Sequence, residues 1–178
     1  MFNGQFIPSV ESLLHRPVTA GKVFFVDSYH ANVSDSNEGT DPDHPLLTLA
    51  TALGKCTAEQ NDYIFVLDAW SEDTEPVAIN KARTHLIGLN NPQAAWVVLQ
   101  AGTDVDVLSA SSSGNHMEVA GFNIGGGSTA SGINLSNCIG YWIHNCAFGH
   151  AYASQTPKYG IECVANAAMG LIEDNTFW

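Results

Sequence analysis

Positive charge is the scarcest commodity in this sequence: six Lys and Arg stand against eighteen Asp and Glu, a formal net charge of −12. A chain of that sign has no footprint for nucleic-acid phosphates or for an anionic membrane surface. Charge of either sign is sparse, at 13% where roughly 25% is usual. Together with many Ser, Asn, Thr and Gly residues, this argues against a helical bundle and for short strands joined by tight turns. No apolar run reaches the roughly 18 residues of a transmembrane helix. Glu11, His15 and Arg16 interrupt the first twenty residues, which lack the apolar core and cleavage site of a secretory leader, so folding in a cytoplasm is expected. In such a reducing compartment the four cysteines, Cys56, Cys138, Cys146 and Cys163, read as small buried hydrophobes rather than as two bridges. The sequons at Asn32 and Asn134 carry no weight there.

Apolar residues are present in quantity, 45% of 178, enough for one domain with its own core. Residues 1–20, broken by Pro8 and Pro17, read as an arm for attachment or oligomerisation. Residues 21–61 hold a strand, GKVFFVD, then a polar loop to Pro45, then a helix. Its apolar positions Leu46, Leu49, Ala50, Leu53 and Cys56 follow helical spacing, and Gly54 predicts that it is short. From residue 62 to 178 the helical period gives way to short strands and turns.

That last stretch repeats. Ile143–Phe148 (IHNCAF) resembles Ile172–Phe177 (IEDNTF), 29 residues on; Gly132–Leu135 resembles Gly160–Cys163, 28 on; Leu86–Asn90 resembles Val119–Asn123, 33 on. One such unit cannot bury its inner face, but stacked units build a continuous core, with like strands in parallel about 4.8 Å apart. The predicted fold is all-β: a right-handed, single-stranded parallel β-helix of about four coils, with a short N-terminal capping helix and an extended arm. A β-sandwich is the structural alternative. Leu46, Leu49 and Leu53 would close the first coil, whose open edge is otherwise an aggregation template. Nothing resembling a cap follows the last repeat, which predicts either further coils or a covering subunit.

The segment FFVDSYHANVSDSNEGTDPDHPLLTLATAL resembles the opening of pectate-lyase-like right-handed β-helix proteins: a strand with Val26-Asp27, an Asp/Asn/Gly loop, then Pro45-x-x-Thr48 leading a helix. The NCAF and DNTF turns resemble the family's Asn-x-x-Phe corners. Where the family has Gly-x-Tyr after its first apolar strand, this chain has Asp68-Ala69-Trp70. The resemblance covers about residues 23–178 and implies a fold shared by phage tailspikes, fibres and other virion surface proteins, and by polysaccharide lyases and hydrolases.

Several residue sets bear on chemistry, each with a plainer reading beside it. Asp104 and Asp106, two apart on a strand, would share a face at a separation open to a glycosidase pair; further acid sets stand at Glu72/Asp73/Glu75 and Glu173/Asp174, and Glu162 and Glu173 would add to a groove, unless all are solvated turn and surface acids. Lys158 is the sole Lys or Arg after Arg83, so a lyase site with its basic residue does not carry over. Asp35, Asp41 and Asp43 supply oxygen ligands for Ca²⁺, or simply cap turns. Cys138, His144, Cys146 and His150 have zinc-ligand chemistry without a zinc-site spacing. Gly125–Ala130 matches G-x-G-x-x-A but lacks the following helix that phosphate binding requires. Tyr141, Trp142 and Trp70 are the candidate sugar-stacking rings, with Trp96, Tyr152 and Tyr159 behind them; Tyr141 and Trp142 are adjacent, so one should face outward.

These readings converge on a virion structural protein, a phage tailspike, fibre or capsid-surface component that folds in the host cytoplasm. It would be a homo-oligomer, a trimer first, joined to other virion proteins through the 1–20 arm and binding host-surface polysaccharide without a cofactor. A glycan depolymerase and a bacterial surface adhesin are the alternatives.

Overall fold

The computed structural model describes residues 21–68, 70–73, 76–89, 97–101, 104–149 and 156–178, with the backbone alone for 70–73. The arm at 1–20, Glu75, Trp96, His150 and Tyr152 lie outside the described residues, as do the side chains of Trp70, Glu72 and Asp73.

In chain order the elements are β1 (Val23–Asp27), helix α1 (Leu49–Lys55), β2 (Tyr63–Asp68), β3 (Trp70–Asp73), β4 (Val77–Ile79), β5 (His85–Gly88), β6 (Val97–Ala101) and β7 (Leu108–Ala110). There follow β8 (Glu118–Ala120), β9 (Phe122–Ile124), β10 (Ser131–Ser136), β11 (Trp142–His144), β12 (Ala147–Phe148), β13 (Tyr159–Val164), β14 (Leu171–Glu173) and β15 (Thr176–Phe177). Strand accounts for 42% and helix for 7% of the described residues, an all-β composition. From β2 on, each third strand returns to the same sheet: β1-β2-β5-β8-β11-β14 form a six-stranded sheet, β3-β6-β9-β12-β15 a second, and β4-β7-β10-β13 a third. Among the described residues every strand pairing is parallel, which removes the β-sandwich alternative. No helix there is long and apolar enough to cross a membrane.

The matches seen in the sequence are register partners. Ile143 lies beside Ile172, Phe148 beside Phe177, Ile133 beside Ile161, and Leu86 beside Val119. In the six-stranded sheet, Phe24, Ile64, Leu86, Val119, Ile143 and Ile172 stand in one column, and all but Ile172 are buried. Each fully buried aliphatic or aromatic side chain contributes roughly 1.5–3 kcal/mol. The turns repeat as well. Asn61, Arg83, His116, Gly140 and Met169, each two residues before a strand of that sheet, all have left-handed backbone (φ 57°, 61°, 59°, 75° and 56°). Arg83, His116 and Gly140 each donate an N–H to the carbonyl of Asn115, Ile139 or Ala168 in the next turn, so the corners stack as the strands do.

Helix α1 is shorter than its apolar spacing predicts. It begins at Leu49, because Thr48 is extended and its hydroxyl accepts the Thr51 N–H. Leu46 is outside the helix and forms a parallel bridge with Val26. Leu46, Leu49 and Leu53 are nonetheless 0%, 2% and 2% exposed, and α1 packs on β1, β2 and β4. At the other end Ile172 and Phe177, inward by register, are 41% and 57% exposed.

Candidate functional site

The outward side of the six-stranded sheet carries a linked array of polar and aromatic side chains. Period-two alternation places Val119 and Ile143 inside, so Glu118, Trp142 and His144 face out. Glu118 joins two imidazoles: Oε2 lies 2.6 Å from His85 Nδ1 and Oε1 2.9 Å from His144 Nε2. His144 Nδ1 lies 2.8 Å from Asn145 Nδ2. An amide nitrogen can only donate, so the neutral His144 ring carries its proton on Nε2 and gives it to Glu118. Trp142 stacks on His144 with ring centroids 4.0 Å apart, and its Nε1–H donates to Glu173 Oε1 at 2.9 Å. His85 in turn stacks on Tyr63 at 4.2 Å. Five successive strands of the sheet, β2, β5, β8, β11 and β14, thus hold one another's side chains in fixed orientations. The Glu118 side chain is 10% exposed, and two N–H donors compensate the burial of its charge. The array offers a half-buried indole held at edge and face beside carboxylate acceptors.

The residues singled out from the sequence fall in different places. Trp142 is on this face; Tyr141 is not. It points inward, is 8% exposed, and its hydroxyl lies 3.5 Å from Cys163 Sγ, a contact that with burial pushes it up to about 12. Asp104 sits in a bend and Asp106 in the irregular stretch before β7, neither on a strand, and both act as staples. Asp104 accepts the Thr129 N–H at 2.8 Å and the Thr129 hydroxyl, bonds that hold its carboxyl below the usual range. Asp106 accepts the Ser131 N–H at 2.7 Å and Asn134 Nδ2 at 2.9 Å. Asp104, stabilised as the anion, is a poor proton donor.

The three aspartates of the first loop have separate partners. Asp35 accepts the N–H groups of Leu47 and Thr48 and the Thr48 hydroxyl, fastening the loop to the start of α1. Asp41 accepts the Asp43 N–H and meets His44 Nδ1 at 3.2 Å; both hold its pKa down. The Asp43 backbone carbonyl accepts from Asn32. Among the described residues no group of three or more His, Cys, Asp or Glu is arranged for a metal ion.

The cysteines correct one expectation. Cys56, Cys138 and Cys146 are buried, but Cys163 is exposed. It faces inward beside Leu135, yet β13 is the edge strand of its sheet, so one side of the thiol lacks cover. Burial pushes Cys56 up to about 12 and Cys138 and Cys146 up to about 11. A thiol reagent at about pH 8 is therefore expected to modify Cys163 alone in the native protein and all four cysteines in denaturant, read by intact mass. Two or more rapid native modifications contradict the burial.

His85 and Glu118 escaped the sequence reading, although a signal for them existed: the 33-residue offset that matches Leu86 to Val119 also sets His85 against Glu118. No family model, curated protein or solved structure matches the chain.

Proposed function

We propose that the three-sheet circuit is a right-handed parallel β-helix of the pectate-lyase-like kind. On this reading the protein is a virion structural component, a phage tailspike, fibre or capsid-surface protein, whose outward face binds host-surface glycan. The observation that carries the binding role is Trp142, fixed by His144 and Glu173 on a rigid sheet beside Glu118. Pre-oriented aromatic side chains lose little entropy on binding, which suits them to hold a sugar ring face. Binding without turnover is favoured over depolymerisation, because Asp104 and Asp106 are engaged as staples. Self-association, with a trimer as the first form to test, belongs to the same reading.

The test is binding of the purified protein to a panel of immobilised bacterial surface polysaccharides. Trp142→Ala is expected to weaken the best interaction about tenfold or more with an unchanged circular dichroism spectrum. A variant that binds as tightly as the parent overturns the site. Mass spectrometry of purified particles against washed cell envelopes separates the virion component from a bacterial adhesin.

A further inference from the structure

The outward face of the six-stranded sheet has two halves of different chemistry. Around Trp142, on β8, β11 and β14, it carries Glu118, His144 and Glu173. On β1, β2 and β5 the outward side chains are Val23, Phe25, Tyr63, Phe65 and Ile87, with His85 stacked on Tyr63 at the boundary. They are neighbours by register: Val23 lies beside Tyr63, Phe25 beside Phe65, and Phe65 beside Ile87. The rings form one cluster, with Phe65 centred 6.1 Å from both Phe25 and Tyr63.

The pattern of these strands breaks the usual alternation. Phe24, Ile64 and Leu86 point inward and are buried; a sheet face left in water would set polar residues between them. Instead Val23 is 36% exposed, and Phe25, Tyr63, Phe65 and Ile87 are half-buried. A contiguous apolar patch on an outer face marks a contact surface.

We propose that residues 1–20 of the same chain cover this patch, with Leu13 and Leu14 as the anchors. The arm, outside the described residues, joins the fold at Gly21, two positions before Val23, which opens the patch. Its large apolar side chains are Phe2, Phe6, Ile7, Val10, Leu13 and Leu14. Leu14 stands seven positions before Gly21, a stretch that spans up to about 25 Å. β5 lies two strand spacings from β1, about 10 Å, so both leucines reach every strand of the patch. The tether also selects the occupant. A segment held this close has an effective concentration of roughly mM, which a second copy at micromolar concentration does not match. This placement leaves the Trp142 half of the face open.

Nuclear Overhauser effects in the full chain, labelled at its leucine methyls, test this. The Leu13 and Leu14 methyls are expected to show contacts to ring protons of Phe25, Tyr63 and Phe65. A sample mixing labelled and unlabelled chains is expected to show no such contact between chains. Leu13→Ser with Leu14→Ser should abolish the contacts and shift the Phe25, Phe65 and Ile87 amides, while those of β11 to β15 stay in place. The amide spectrum itself reports whether that variant folds; should it not, the contacts in the parent protein decide alone. Absence of contacts from the arm to these rings, contacts found only between chains, contacts confined to Trp142 and His144, or unmoved Phe25, Phe65 and Ile87 amides in the folded variant overturns the proposal.

Discussion

Leu49→Asp is expected to leave the protein unfolded or aggregated. Leu49 opens α1 and is 2% exposed within the main core. Carboxylate burial without a partner costs several kcal/mol, and losses beyond about 4–5 kcal/mol arise from this kind of defect. A domain has only about 5–15 kcal/mol in total. The consequence also exceeds the lost burial. If α1 is pushed off β1, β2 and β4, the first strands lose their cover, and an uncovered sheet edge or end recruits other chains. Leu47→Asp is the control, since Leu47 is 42% exposed two residues away and should tolerate the change within about 0.5 kcal/mol. Soluble yield and a thermal melt read both. A soluble Leu49→Asp protein with an unchanged melt removes the covering role from α1.

The helix illustrates what the sequence could and could not reveal. Its apolar spacing predicts a start at Leu46, but spacing is blind to local capping. Asp35 and Thr48 take the backbone donors there, so Leu46 pairs with Val26 as a strand instead. The repeat is a stronger signal, because identical partners at a fixed offset must stack to be buried; this is why the Ile143/Ile172 and Leu86/Val119 matches are register pairs. The sequence left open which of two neighbouring aromatics faces out; in the structure Ile143 is inside, Trp142 is out and Tyr141 is in. Asp104 and Asp106 show the opposite case. Two acids two apart look alike on a strand and off one, and their hydroxyl and amide partners come from residues 129–134, which no local pattern connects to them.

The same alanine substitution should have opposite signs at two glycines. Gly54→Ala in α1 meets nothing within 4 Å, and alanine in a helix loses less entropy than glycine, so a gain of about 0.5–1 kcal/mol is expected. Gly121→Ala should cost about 3 kcal/mol or more, because it combines backbone strain with a steric clash. Gly121 has φ +80°, and a Cβ there would lie 2.3 Å from the Gly88 carbonyl oxygen. Gly88 is equally confined, its Cβ meeting the Gly121 oxygen at 2.6 Å. The two glycines occupy the same corner on successive turns, directly after the register pair Ile87 and Ala120, and this close approach explains why the sequence match between residues 86–90 and 119–123 includes glycine. Asn145 and Asp174 hold the equivalent corner on later turns with φ 52° and 53°, so left-handed backbone alone does not demand glycine. Gly121→Asn therefore separates the two causes. If strain in φ decides, asparagine, which tolerates that region, restores most of the stability. If the approach of Gly88 decides, asparagine is at least as damaging as alanine. For a chain of this size, about 2–4 °C of melting temperature per kcal/mol makes the three variants distinguishable in one series of melts. An asparagine variant that melts with the parent would show that the turns can separate at this corner, and that their spacing is set by the strands alone.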